Sequence, residues 1–227
     1  MWLTAPNRLG IAAWQIGDSV WRIDASGGTS LSIGGNSVSL RHPDDQTLPA
    51  LDEQFVRGDE LHLSYPQTES LEFGYRVVIR PIEIADWSAS SDRTVFERRS
   101  AFEWIVSVQT TLLDSHPTID LVSDIDASKG LGASETLTLP ATNSVAYRSK
   151  VDGASVAILL GGRDAPFTDF VAGETSTRLR LFGQFLEKGV IRRAQPWVLI
   201  DRSGEEISVA TIEKAAEALA SSPIPLN

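Results

Sequence analysis

Residues 100–122 have the clearest alternation of apolar and polar side chains in the chain, and this segment constrains the fold more than any other. If the segment is extended, every second side chain points the same way, which is the period of a strand with one buried face. The residues on the predicted buried face are Phe102, Trp104, Val106, Val108, Thr110 and Leu112. Ile105 and Leu113 interrupt the polar face, so we expect a loop, a helix or another subunit to cover part of it. Turn-forming residues 114–117 then predict a corner and a returning strand.

Short apolar runs separated by glycine or proline recur along most of the remaining sequence. Paired glycines favour tight reversals, because glycine accepts the positive φ of hairpin turns. Residues 177–186 and 190–202 are predicted to form a hairpin that turns at Lys188 and Gly189. Near the C-terminus apolar residues recur at helical spacing, with Ser208 as a cap and Pro223 as a stop.

These patterns predict an all-β fold, a two-layer and largely antiparallel β-sandwich with a single C-terminal α-helix at residues 208–222. No linker divides the 227 residues, and β-sandwiches of this length fold as one unit. We therefore expect one domain spanning residues 1–227. The alternative is a pair of β subdomains divided in the loop around Lys129.

The formal net charge of −10 argues against nucleic acid or an anionic membrane as a partner, because both carry dense negative charge. No apolar run approaches the ~18 residues of a membrane-spanning helix. The N-terminus lacks the pattern of a secretory signal, and the chain has no cysteine, so we expect a cytoplasmic protein. A homo-oligomer is left open.

The first functional hypothesis is a non-enzymatic module that binds a carbohydrate or an acidic partner. Trp87, one of six tryptophans, falls in a predicted loop where its ring could stack on a sugar. Arg178, Arg180 and Arg192 lie on the predicted hairpin, where guanidinium groups could bind an anionic ligand. The alternative for these arginines is intramolecular pairing with the surplus of Asp and Glu.

The second hypothesis is a sugar-processing enzyme of the isomerase, epimerase or hydrolase type. His116 lies at the predicted corner with Asp114 before it and Asp120 after it, so a His–carboxylate pair could transfer protons. The simpler interpretation is that residues 115–117 form a turn whose polar side chains cap backbone groups. A third hypothesis, a structural or assembly subunit, follows from Ile105 and Leu113.

A partial calcium-loop pattern follows the returning strand. Oxygen-bearing side chains occupy the first, third, fifth and twelfth places of such a loop: Asp124, Asp126, Ser128 and Glu135. Lys129 stands at the sixth place, where glycine normally makes the sharp turn, and the flanking segments are predicted strands rather than helices. Calcium is therefore a weak alternative to a solvated acidic turn, and no other cofactor is predicted.

Overall fold

The computed structural model describes residues 1–33, 36–44, 46–88, 98–124, 134–151, 153–172 and 176–223. Within these ranges the chain forms two antiparallel sheets, a four-residue helix α1 (Ala85–Ser88), a 3-10 turn (Ala165–Phe167) and a longer helix α2 (Val209–Ser221). The predicted all-β sandwich with a C-terminal helix is confirmed. No helix among these residues is both long and apolar enough to cross a lipid bilayer.

The first sheet contains eight of the described strands, numbered along the chain. In spatial order these are β1 (Trp2–Thr4), β2 (Ile11–Ile16), β3 (Ser19–Asp24), β4 (Ser30–Ile33), β5 (Asn36–Arg41), β10 (Thr118–Asp124), β15 (Ser176–Phe182) and β14 (Thr168–Ala172).

The second sheet contains nine of the described strands. In spatial order these are β11 (Glu135–Leu139), β12 (Ser144–Val151), β13 (Ala154–Leu160), β17 (Trp197–Asp201), β9 (Arg99–Gln109), β8 (Gly74–Ile82), β7 (Glu60–Tyr65) and β6 (Glu53–Arg57), while β16 (Ile191–Ala194) also pairs with β9.

The main core lies between the two sheets. The alternation along β9 buries its inward-facing side chains completely, as the sequence predicts. Ile119 and Leu121 of β10, with Leu179 and Leu181 of β15, are equally buried on the first sheet. Residues with a period of two on both sheets therefore fill one apolar layer.

The outer face of the second sheet is also covered. Helix α2 places Ile212, Ala216 and Leu219 in an apolar cluster that includes Leu159 and Leu199 of the sheet. Its spacing explains this, since residues three and four apart share one helical face. The expected cover over the less apolar side of β9 is thus present, and Ile105 is buried while Leu113 is exposed. Of the two residues that suggested an assembly subunit, Leu113 alone is exposed for contact with another subunit.

The predicted hairpin between residues 177–186 and 190–202 is wrong. Strand β15 pairs with β10 and β14 in the first sheet, whereas β16 pairs with β9 in the second. The chain therefore crosses between layers after Phe182 rather than folding back within one sheet. Residues 110–117 make a similar crossing between β9 and β10. Alternation defines the buried face of a strand but not its neighbour, which depends on contacts far apart in sequence.

Candidate ligand-binding cleft

Two cavities adjoin where β14, β15 and β16 meet, and they share the side chains of Phe167, Phe182 and Gln184. We describe them as two lobes of one cleft. Lobe A has a volume of ≈ 470 Å³ and lobe B a volume of ≈ 700 Å³. Both volumes lie in the range of about 300–1,000 Å³ that is typical of small-molecule sites.

Lobe A is bounded by the turn at residues 161–167, by β16 and by the end of α2 at Leu219 and Ala220. The backbone packs tightly here, because a Cβ on Gly162 would approach the carbonyl oxygen of Thr142 to 3.0 Å. A side chain at Gly162 would therefore be crowded, and the turn lies close against the connection between β11 and β12. The polar lining is rich in arginine and amide groups: Arg163, Asp164, Gln184, Arg192, Arg193 and Gln195.

Asp164 joins the turn of lobe A to the second sheet. The backbone N–H of Gln195 donates to Asp164 Oδ2 at 2.7 Å, and Thr168 Oγ1 donates to the Asp164 carbonyl at 2.9 Å. Burial raises the pKa of the Asp164 carboxyl, because removal from water disfavours its charge, while the Gln195 N–H and Arg163 oppose the shift. Gln195 in turn donates through Nε2 to the buried carboxylate of Glu103 on β9. The wall of lobe A is thus fixed to the central strand.

Lobe B is bounded by residues 42–44, 46, 70–73, 116 and 118 and by the outer face of β14 and β15. Its centre is Arg180, whose Nε donates to Asp120 Oδ1 at 3.1 Å and whose Nη2 donates to Oδ2 at 3.3 Å. Strand register produces this pair, since Asp120 of β10 and Asp169 of β14 both lie opposite Arg180. The Asp120 hydrogen bonds raise the pKa of Arg180 above its ordinary value, so Arg180 stays a cation.

Exposed aromatic rings line the cleft and its rim. Phe167, at the end of the 3-10 turn, is 56% exposed although it is a large apolar side chain. Phe182 has a φ of 69°, a left-handed conformation that is rare for a bulky residue. Phe185 is also exposed, with its ring centroid 6.0 Å from that of His116 in lobe B. Phe167 and Phe185 are therefore exposed at or beside the cleft, whereas Phe182 is partly buried and packs against the main core.

The residues predicted for acid–base chemistry are only partly brought together. His116 Nδ1 lies 3.8 Å from Asp114 Oδ1, with the two side chains 59% and 76% exposed. Asp120 is fully buried and contacts Arg178 and Arg180 instead. Water screens an exposed pair of this kind, and the carboxylate of Asp120 is already neutralised. The catalytic role of these three residues stays a prediction.

The arginines predicted to bind an anion are held within the molecule. Arg178 Nη1 lies 3.8 Å from Asp120 Oδ2 and donates to the Pro43 carbonyl at 3.3 Å. Arg192 lies on β16 rather than across a hairpin from Arg178, and its Nη1 donates to Gln184 Oε1 at 3.0 Å in lobe A. Intramolecular pairing with Asp120 therefore accounts for Arg178 and Arg180.

Trp87 is not in a loop, so its predicted position is wrong, while its role as a ligand contact stays a prediction. It lies on α1, is 6% exposed and packs in the apolar cluster beneath α2. Trp14 and Trp87 line a separate groove, away from the cleft. The sequence did not single out Phe167, Arg163 or Gln195, because each lies in a turn or at a strand end without a periodic pattern. The one available signal was a phenylalanine directly after Pro166 in a turn.

Two of the predicted calcium ligands, Asp126 and Ser128, lie outside the described residues. Of the others, Asp124 Oδ1 accepts from Arg41 Nη2 at 2.9 Å, and Glu135 is paired with Arg148. Among the residues that are described, no three acidic or histidine side chains lie close enough together to hold a metal ion. The calcium loop stays a prediction.

No protein-family model and no curated protein matches the chain. Similar solved structures include heparan sulfate lyase HepC from Pedobacter heparinus, with a TM-score of 0.47 and 10% identity. The match covers 89% of this chain and 38% of that one, so the chain spans little more than a third of the lyase. A candidate kojibiose phosphorylase from the human microbiome gives a TM-score of 0.43 and 9% identity, over 93% of this chain and 31% of that one. A heparinase III gene product gives a TM-score of 0.42 and 9% identity, and the match covers 85% of this chain and 34% of that one. Similarity at this level assigns no function.

Proposed function

We propose that the chain binds a saccharide in the cleft formed by lobes A and B. The observation that carries the proposal is the exposure of Phe167 at the junction of the two lobes. A pyranose ring has an apolar face of C–H groups and a rim of hydroxyls, so it suits an aromatic ring surrounded by polar side chains.

The polar lining supplies the groups that hydroxyls require. Gln184 lines both lobes, while His116 and Asp169 line lobe B. These side chains include donors and acceptors, and a sugar hydroxyl both donates and accepts. Strand pairing fixes Asp169 on β14, and the hydrogen bond from Arg192 orients Gln184, so these two side chains lose little entropy when a ligand binds.

A macromolecular acidic partner suits this surface less well than a sugar does. Arg178 and Arg180 are already paired with Asp120, and three of the described lining residues of lobe B are carboxylates. An acidic protein surface placed over lobe B would meet like charge. A neutral, hydroxyl-rich ligand meets hydrogen-bonding groups instead.

A glycan array tests the proposal with purified protein and matched variants. We expect the native protein to bind a subset of oligosaccharides, and we expect Phe167→Ala to reduce that binding at least tenfold without lowering the melting temperature by more than a few degrees. Phe55→Ala is the control, because Phe55 is also an exposed phenylalanine, 43% accessible, but lies on the edge strand β6. Equal loss in both variants, or no binding by the native protein, would refute the proposal.

His116→Ala separates binding from catalysis. We expect this variant to keep most of the glycan binding, because His116 lies on the rim of lobe B with its side chain 59% exposed. Bound oligosaccharides should be recovered unchanged after incubation with the native protein. Conversion of a ligand by the native protein but not by His116→Ala would replace the binding module with the sugar-processing enzyme.

A further inference from the structure

The two lobes of the cleft carry opposite charge. The arginines and carboxylates that line lobe A are Arg163, Arg192, Arg193 and Asp164. Among the described residues this gives an excess of two positive charges. The carboxylates and arginines that line lobe B are Asp44, Glu72, Asp169 and Arg180, which gives an excess of two negative charges among the described residues. A ligand that spans the cleft therefore meets different fields at its two ends.

The contact that Arg192 makes within lobe A leaves the positive charge of its guanidinium in place. Arg192 donates to the neutral amide of Gln184, which orients the guanidinium without cancelling its charge. Oδ2 of Asp164 is occupied by the backbone N–H of Gln195. The carbonyl end of α2 also borders the lobe, but a helix terminus contributes only about −0.5 charge. Arg192 therefore still presents a positive charge to lobe A.

The overall acidity of the chain does not remove this local field. The net charge is −10, but charges are screened beyond a Debye length of about 8 Å at physiological ionic strength. An anionic group inside lobe A would respond mainly to the arginines that line it. Guanidinium forks also match the two oxygens of a carboxylate or sulfate in geometry as well as in charge.

We propose that lobe A is a subsite for the anionic group of an acidic sugar residue, a uronate carboxylate or a sugar sulfate, while lobe B takes a neutral sugar residue. This inference depends on the proposed saccharide function and specifies its ligand. Phe167 lies between the two subsites and lines both of them. The cleft thus selects an oligosaccharide in which charge is placed at one end.

Calorimetry on matched ligands tests the inference. The panel contains trisaccharides of galacturonate, glucuronate and mannuronate, each as the free acid and as the methyl ester, together with neutral trisaccharides and their sulfated forms. We expect at least one anionic form to bind ten times or more tightly than its neutral counterpart. The affinity of that form should fall between 50 and 500 mM NaCl, whereas the affinity of the neutral form should not. The acid and sulfate arms identify which anion lobe A prefers.

Two substitutions assign the preference to lobe A. Arg192→Gln should weaken binding of the anionic form about ten times more than binding of the neutral form, while Arg57→Gln, on the exposed edge strand β6, should alter neither. Binding of neutral and anionic forms with equal affinity would overturn the anionic subsite and leave the saccharide function standing. An anionic preference that survives Arg192→Gln and Arg163→Gln would also overturn the subsite. Binding of no member of the panel, neutral or anionic, would overturn both proposals.

Discussion

Phe182 combines an unfavourable backbone conformation with a position in both lobes of the cleft. Its left-handed φ of 69° costs roughly 1–2 kcal/mol for a residue with a Cβ, and it occurs where β15 ends and the chain leaves the first sheet. Gly183 follows with a φ of 86°, and its N–H donates to the Pro117 carbonyl at 2.7 Å. Strain of this kind is retained where the surrounding structure fixes it, and such positions cluster at functional sites.

At Phe182 we therefore expect the glycine variant to be more stable than the alanine variant, the reverse of the usual order of stability. We expect Phe182→Gly to be more stable than Phe182→Ala by about 1 kcal/mol, because both lose the ring but glycine alone relieves the left-handed strain. Both variants should bind saccharide equally weakly. Denaturation by urea gives the two free energies of unfolding.

The control is Val56 on β6, an extended position where alanine should be more stable than glycine by about 0.5–1 kcal/mol. If Phe182→Ala were as stable as Phe182→Gly, the backbone at this position would not be strained.

At the level of single residues, the sequence predicted those that carry a local signal. His116 was found from its corner and Arg180 from its strand, and the pairing of β10 with β15 helps to bring both into lobe B. Phe167 carries no periodic signal, so its exposure could be learned only from the packing around it. Glu103 was expected on a polar face, but it is fully buried: Gln195 and Trp197 donate to its Oε1, and Arg80 pairs with its Oε2.

Among the elements, helix α2 has the most local determinants. Ser208 Oγ accepts the N–H of Thr211 at 3.1 Å, which satisfies one of the unpaired donors in the first turn. We expect Ser208→Ala to lower the free energy of unfolding by about 1 kcal/mol and the melting temperature by about 2–4 °C. Differential scanning fluorimetry measures the shift.

Ser221→Ala is the matched control at the other end of the same helix. Ser221 Oγ donates to the Glu217 carbonyl at 2.9 Å, a bond that adds little to helix stability. If both variants lowered the melting temperature equally, the Ser208 cap would have no specific effect on the stability of the helix.

Strands were predicted better as individual elements than as a sheet. The alternation in β9 and β15 identifies their buried faces, and both faces are buried in the structure. The alternation does not indicate which strand lies beside each of them. Strand β9 pairs with β17, for example, although almost ninety residues separate the two strands. The predicted hairpin failed for this reason, because a short turn at Gly189 is compatible with either a reversal or a change of layer.

Across the residues that the structure describes, several arginines are paired with carboxylates within the fold. Arg99 contacts the buried carboxylate of Asp201 at 2.7 Å, and Asp120 is shared by Arg178 and Arg180. Such pairing reduces the self-repulsion expected of an acidic chain. The positive charge of lobe A stands out against this background and is the feature that defines the proposed ligand.

We propose that a saccharide occupies the cleft where β14, β15 and β16 meet. Backbone amide NMR of the full chain, titrated with the tightest-binding trisaccharide of the calorimetric panel, tests this location. We expect chemical-shift changes concentrated at residues 161–169, 182–184 and 192–195, the segments that contribute to the two lobes. Changes confined to the groove lined by Trp14 and Trp87, or the absence of changes at saturation, would contradict it.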